Sequence, residues 1–394
     1  MPTKAAELAE VVVSRRGADR LKGGHVWVYR SDIAAADGIG PGSLVAVKDE
    51  RGRFLGSAFY SSASQIAIRM LSRDSVTDLD GLLRERLQQA FAYRERVVEN
   101  SDAYRVVFSE ADFLPGLIVD RYNDIFSLQV LTQAMDSESV RQSLVTHLIH
   151  LQPASVVERV DAHIRELEQL PSRSSDLLYG EKTNTTFSMN GVKFHFDALQ
   201  GQKTGAFLDQ RENYAAAATY ARGEALDVFC YQGGFALHLA GNCSSVTGVD
   251  SSRPALEVAE KNAALNGREM DWIEANAFDL LRDYAAAGQP YDIIVLDPPA
   301  FAKTKRDVPT ALRGYKELNL RALKMLRAGG ILVTCSCSYH ISATDLLSVV
   351  AEAGRDVHRN LRLLENRGQA KDHPTLVSVP ETAYLKCMIF HVSH

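Results

Sequence analysis

The second half of the chain alternates short unbroken apolar runs with stretches of helical spacing. Ala225–Phe229, Ser245–Val249, Asp271–Glu274, Tyr291–Leu296 and Ile331–Thr334 read as buried strands. Phe235–Ala240, Ser252–Asn266 and Tyr315–Leu326 read as the helices between them. That alternation predicts a doubly wound α/β sheet. Two later runs, Thr375–Val379 and Ala383–Val392, predict a closing hairpin. The first half differs. Residues 1–75 carry short apolar runs (Val11–Val13, Val26–Val28, Leu44–Val47, Phe54–Phe59) between glycine-rich turns, which predicts a small all-β barrel. Residues 76–185 mix an amphipathic helix (80–99), strands (104–108, 117–119, 125–131, 154–159) and a second helix (137–151), a small α/β connector. The predicted domains are therefore 1–75, 76–185 and 186–394.

The stretch that organises the sheet domain is EALDVFCYQGGFALHLA, Glu224 to Ala240. A strand running into a glycine turn (Gly233, Gly234) and then a helix holds nucleotide-like ligands at the edge of a parallel sheet. The spacing is neither GxGxxG nor GxxxxGK[ST], so a dinucleotide or a triphosphate is not indicated. Other strand ends add polar groups. Asp227 precedes the turn, and Asp250 lies 17 residues past Gly233, where an acid accepts hydrogen bonds from ribose hydroxyls. Asn276 can both donate to and accept from an adenine edge. These groups describe S-adenosylmethionine better than a dinucleotide. Ahead of the first strand lies the loop GQKTGAFLDQR (201–211), placed to close over a cofactor, with Lys203, Asp209 and Arg211 as candidate polar contacts.

Two further strand ends carry candidate chemistry. Asp297-Pro298-Pro299 is a rigid turn that presents a carboxylate. Cys335 and Cys337 follow the next strand, and a thiolate is a strong nucleophile when its pKa is lowered. Methylation of cytosine at C5 needs such a nucleophile, because that carbon reacts only after a group adds at C6. The two cysteines are two residues apart, face one side of an extended chain and are equally compatible with inert core positions.

Composition narrows the class. Apolar residues make up 46% and charged residues 24% of 394 positions, ordinary for a folded protein. No apolar run reaches the ~18 residues of a membrane span, and no apolar leader precedes a cleavage site. Five cysteines form no CxxC pair, which suits a reducing cytoplasm. The histidines show no HxxxH or HExxH spacing, so no metal site is expected. Net charge is −5, yet residues 1–75 hold 11 Lys+Arg against 8 Asp+Glu. A mildly basic barrel on an acidic body permits RNA binding, with Arg15, Arg16, Arg20 and Lys22 as candidate contacts. Trp27 and Tyr29 beside them are expected in the core of a strand.

In combination, RLKGGHVWVYR (20–30), EADFLPGLIVDR (110–121), GQKTGAFLDQREN (201–213), DVFCYQGG (227–234), DPPAF (297–301), Cys337-Ser338 and His373-Pro374 resemble one family. It is the bacterial large-subunit ribosomal RNA cytosine-C5 methyltransferases with an N-terminal PUA domain. The resemblance spans essentially the whole chain. It implies a PUA barrel, an α/β connector and a Rossmann-type methyltransferase domain, with 23S ribosomal RNA as partner and a homodimer as assembly. It implies Cys337 as nucleophile and Asp297 as the group that polarises the base. It implies S-adenosylmethionine contacts from Lys203, Gly205, Phe207, Asp209, Gln210, Arg211, Asp227, Phe229, Gly233, Asp250, Asn276 and Asp297. Two positions depart from related patterns. Ala300 stands where related enzymes carry a second cysteine, which leaves the acceptor of the C5 proton unassigned. Asn276 stands where the family usually has aspartate.

Overall fold

A computed structural model describes residues 8–199 and 206–394. The candidate residues Lys203 and Gly205 lie outside them. The chain divides into two compact units. One is Met1–Thr185 with Phe196–Gly205 and Asp372–Thr382; the other is Thr186–His195 with Ala206–Lys371 and Ala383–His394.

The first unit contains two sheets. Six strands between Ala9 and Ser72 form one, closed over a core of Val11, Val13, Val28, Val45, Val47 and Ile68. This region is not all-β as expected. A helix, Arg15–Lys22, follows the first strand, with the Ser14 hydroxyl accepting from the Gly17 amide as its N-cap. Its sequence RRGADRLK offers only Gly17, Ala18 and Leu21 for burial, too few for a visible apolar period. The second sheet holds five strands between Ala103 and Gly180. Helices Leu79–Val97 and Glu138–Ile149 contribute Leu83, Leu87, Leu144 and Leu148 to its core. Trp27 and Tyr29 correct a second expectation. Only Val28 between them is fully buried; both aromatics lie on the other face, half-buried, and the Trp27 indole donates to Glu110 at 2.9 Å.

The second unit is built on seven strands: β1 (Glu224–Val228), β2 (Ser245–Asp250), β3 (Asp271–Glu274), β4 (Tyr291–Leu296), β5 (Leu326–Ser336), β6 (Asn360–Arg367) and β7 (Lys386–Ser393). Their spatial order is β3-β2-β1-β4-β5-β7-β6. The first five run parallel, and β7 enters antiparallel between β5 and β6. The helices are α1 (Arg211–Thr219), α2 (Gly234–Leu239), α3 (Arg253–Leu265), α4 (Ala277–Ala287), α5 (Val308–Met325) and α6 (Ala343–Asp356). Central strands β1 and β4 are buried on both faces, which their unbroken apolar runs foretell. The reversal of strand order at β1 and β4 opens a crevice at their carboxyl ends.

Two expectations fail in this unit. The partner of the last strand is 360–367, not 375–379; residues 375–379 form no strand. β6 is an exposed edge strand (NLRLLENR), so it lacks the apolar signal of a buried one. Helix α5 starts at Val308, seven residues before its expected start, with Pro309 in the first turn, where the missing amide costs nothing. Among the described residues, no helix is long and apolar enough to cross a membrane. None of their His, Cys, Asp and Glu side chains group in a way that could hold a metal.

Candidate active site

The turn after β1 is backbone under constraint. Phe229 and Tyr231 have positive φ (68° and 50°), as does Gly233 (87°), which caps α2. Side chains seldom adopt this region, and each such residue costs on the order of 1–3 kcal/mol, a cost concentrated at functional sites. The turn is held by Cys230 N–H donating to the Val249 carbonyl at 2.9 Å and Gly233 N–H to the Cys230 carbonyl at 2.8 Å. Asp227, at the end of β1, is fully buried. One carboxylate oxygen accepts from the Ala236 amide of α2 at 2.8 Å, while the other, Oδ1, has no partner. Burial, with Asp297 and Asp250 adding to it, pushes its pKa up to about 8. Asp227 lines an open cleft together with Phe207, Phe229, Tyr231 and Asp297.

The ends of the two neighbouring strands carry Asp250 and Asn276, neither of which lines this cleft itself. Asp250 accepts from the Tyr231 and Ser252 amides, both at 2.9 Å, so it secures the glycine turn and starts α3. The Asn276 carbonyl oxygen caps α4, accepting from Phe278 at 2.9 Å and Asp279 at 3.3 Å. The sequence suggests both hydrogen-bonding roles for Asn276 toward adenine. The cap takes the acceptor and leaves the side-chain amide as donor. Gly248 and Gly233 make room for Trp272, because a Cβ would stand 2.4 Å and 2.9 Å from its indole.

Of residues 207–211, Phe207 lines the cleft, while Gln210 and Arg211 are buried behind it. Phe207 packs on Tyr231 with ring centroids 5.1 Å apart. Asp209 accepts from the Tyr384 hydroxyl at 2.6 Å. Gln210 is buried; its side chain donates to Asp297 at 3.0 Å and accepts from Asn213 at 2.6 Å. Asn213 in turn accepts from Arg367 at 2.9 Å. A buried polar chain therefore positions Asp297 from behind. Arg211 is buried at the start of α1, where it pairs with Glu212 at 3.8 Å.

At the end of β5 the structure separates two cysteines that are equivalent in the sequence pattern. Cys335 is fully buried opposite Cys387 of β7. The chain leaves the strand at Ser336, and Cys337 is only partly covered, its thiol 4.0 Å from the Pro298 carbonyl. The flanking hydroxyls fix this turn: Ser336 bonds Tyr315 at 2.9 Å, and Ser338 accepts from the Ala302 amide at 3.2 Å. Burial, then Asp297 and Asp209, push the Cys337 thiol up to about 11. That is opposite to the lowering expected of an activated thiol. One group offsets part of it. Lys386 donates to the Ser338 and Tyr384 carbonyls, both at 2.7 Å, and its charge favours the thiolate. Burial lowers Lys386 itself to about 8. Nothing in the sequence marks Lys386, because only the antiparallel return of β7 brings it beside Cys337.

The four candidate RNA-contact cations lie on the helix of the first unit. Each has an acidic partner: Arg15 with Asp19 (3.7 Å), Arg16 and Arg20 with buried Asp32, and Lys22 with Asp49 (3.9 Å). Arg20 also covers the Tyr29 ring at 4.6 Å.

Comparison with known proteins agrees with this architecture. The family described as S-adenosylmethionine-dependent methyltransferases matches residues 122–391, and a PUA-like domain matches residues 11–73. The ribosomal RNA large subunit methyltransferase I of Photobacterium profundum is 38% identical over 380 residues, covering 93% of this chain and 95% of its own. That of Tolumonas auensis is 39% identical over 379 residues, covering 93% and 94%. The crystal structure of SMU.776, a candidate methyltransferase complexed with S-adenosylhomocysteine, has the same fold. Its TM-score is 0.83 at 18% identity, over 98% of this chain and 100% of that one. With a PUA-like domain ahead of a seven-stranded sheet whose strand ends line a cleft, the chain belongs to the S-adenosylmethionine-dependent methyltransferase family.

Proposed function

We propose that this enzyme forms 5-methylcytosine in 23S ribosomal RNA through a covalent adduct of Cys337. The observation that carries the reading is the meeting of Asp297 and Cys337 at adjacent strand ends, bridged by the thiol contact to the Pro298 carbonyl. The printed name of the relatives, ribosomal RNA large subunit methyltransferase I, supports the RNA class. A PUA-like domain supports it as well.

The cleft fits the cofactor. Asp227 Oδ1 is a buried acceptor without a partner, beside a lining that is partly aromatic. A cationic group restores the ionised form that burial opposes. S-adenosylmethionine, when bound, supplies an electrophilic methyl group. In this reading Asp227 meets its cationic part, Asp250 its ribose hydroxyls, and the Asn276 amide an acceptor on adenine. Gly233 allows close backbone approach. Phe207 and Phe229 line the cleft, while Lys203, Gly205, Asp209, Gln210 and Arg211 are assigned to the cofactor on resemblance alone.

The chain's own groups then act on the base. Asp297 hydrogen-bonds the N3 edge. The Cys337 thiol passes its proton to water and the thiolate sulfur adds to C6, so the electron pair of the C5=C6 bond becomes available at C5. After C5 is alkylated its proton passes to water, the double bond re-forms and the C6–S bond breaks, returning its electrons to sulfur. The reading includes three working parts (1–75, 76–185 and 186–394), a homodimer on the strength of the resemblance, and a cytoplasmic location that suits five free cysteines.

Trapping tests it. RNA substituted with 5-fluorocytosine cannot lose fluorine as a proton is lost, so a covalent protein–RNA band is expected with S-adenosylmethionine and none with Cys337→Ala. An adduct that survives Cys337→Ala overturns the assignment. The raised thiol pKa favours one rival, methylation of a guanine nitrogen held by Asp297-Pro298-Pro299 with both cysteines structural. Methylguanosine in the product would establish that rival.

A further inference from the structure

The sequence points to residues 1–75 for RNA contact, but a second group of unpaired cations lies beside the catalytic strand ends. Between β4 and α5 runs the segment Ala302-Lys303-Thr304-Lys305-Arg306-Asp307. Lys303, Lys305 and Arg306 are exposed, and none makes an ion pair among the described residues. The one carboxylate in the segment is already engaged. Asp307 accepts from the Thr304 amide at 2.8 Å and the Thr304 hydroxyl at 2.9 Å, forming a closed capping box. The segment is therefore shaped by its own hydrogen bonds and turns three cations outward. By contrast, the four candidate cations Arg15, Arg16, Arg20 and Lys22 are all matched to acids.

The position of this segment matters as much as its charge. It starts five residues after Asp297, and the Ala302 amide donates to the Ser338 hydroxyl at 3.2 Å, next to Cys337. Tyr339, two residues past Cys337, is 48% exposed and meets the His340 ring edge-on at 5.1 Å between centroids. His340 is an electrostatic neighbour of Asp307, so the two loops lie side by side. An exposed aromatic face next to unpaired cations is the pairing that single-stranded nucleic acid uses: bases stack and phosphates meet the charges.

We infer that Lys303, Lys305, Arg306 and Tyr339 form an RNA track at the mouth of the crevice, holding the single-stranded nucleotides that flank the target base. The track takes phosphates on the three cations and one unstacked base on Tyr339. It rests on the reading of RNA as substrate, and it adds an electrostatic grip on the catalytic domain.

Fluorescence anisotropy with a labelled, mixed-sequence single-stranded RNA tests it, across a series of salt concentrations. Each neutralised phosphate contact contributes about 0.7 to the slope of log affinity against log salt for a single strand. The triple variant Lys303→Gln, Lys305→Gln, Arg306→Gln is expected to lower that slope by about 2. Tyr339→Ala is expected to weaken binding on the order of ten-fold with the slope unchanged. S-adenosylmethionine affinity by calorimetry should match the parent in both, which shows the fold intact. A triple variant with parental slope and affinity would overturn the track while leaving the substrate reading in place. If the parent binds no RNA and methylates none, the substrate reading itself fails.

Discussion

Asp227 is a carboxyl group whose environment holds it far from its chemistry in water. Its folded pKa, about 8, lies far above the ordinary 3.8. Below pH 4 the group is protonated whether folded or not, and costs nothing. As pH rises from 4 to 8 the unfolded chain ionises first, so stability is lost through that window. At 1.36 kcal/mol per unit, the loss is at most on the order of 5 kcal/mol. Asp227→Asn should therefore raise the thermal midpoint of the cofactor-free enzyme at pH 8, leave it unchanged near pH 4, and abolish S-adenosylmethionine binding. Equal midpoints at both pH values would show that Asp227 is solvated rather than buried. Cys337 gives a second residue-scale expectation. With its thiol near 11, about one molecule in a thousand is thiolate at pH 8. Lys386 supplies an opposing charge that itself titrates in this range, near 8. Lys386→Met should slow alkylation of Cys337 by iodoacetamide, by up to about ten-fold per pKa unit moved. The gap should close above pH 8, where the amine is neutral. An unchanged alkylation profile would remove Lys386 from the site.

At the scale of elements, the ends of β2 and β3 are locked by one aromatic. Trp272 of β3 fills the space that Gly248 of β2 leaves, and a Cβ at 248 would stand 2.4 Å from its ring. Gly248→Ala should cost about 1–3 kcal/mol by overpacking, read as a lower midpoint in urea. The cost should shrink when Trp272→Ala is added, since the two residues share one space. Additive losses would mean that the glycine matters for another reason. Much at this scale is legible in sequence. The central strands announce themselves by unbroken apolar runs, and their polar termini (Asp227, Asp250, Asp297) mark the crevice because a parallel sheet points all its carboxyl ends one way. What stays hidden has specific causes. The barrel helix 15–22 buries too little to show a period. The edge strand 360–367 looks like a loop because it is exposed. Gln210 behind Asp297, and Lys386 beside Cys337, are joined to their surroundings over 87 and 48 residues of chain, and no local pattern encodes such a contact.

At the scale of the molecule, cations divide by task. In the barrel, Arg16 and Arg20 neutralise Asp32, which is 1% exposed. Removing both would leave a buried charge alone, a loss that typically costs about 3–5 kcal/mol. Arg16→Met with Arg20→Met should lower the thermal midpoint markedly and change the salt slope of RNA binding less than the triple substitution at 303, 305 and 306. A stable double variant that loses RNA binding would place the grip on the barrel. The net charge of −5 fits this division, because RNA attraction then depends on a local patch rather than on the whole surface.

We propose that the crevice methylates C5 of cytosine with Cys337 as nucleophile. The most direct test is mass spectrometry of nucleosides from 23S ribosomal RNA after incubation with the enzyme and isotopically labelled S-adenosylmethionine. Labelled 5-methylcytidine is expected from the parent and none from Cys337→Ala. Labelled methylguanosine, or 5-methylcytidine formed at the parental rate by Cys337→Ala, would contradict it.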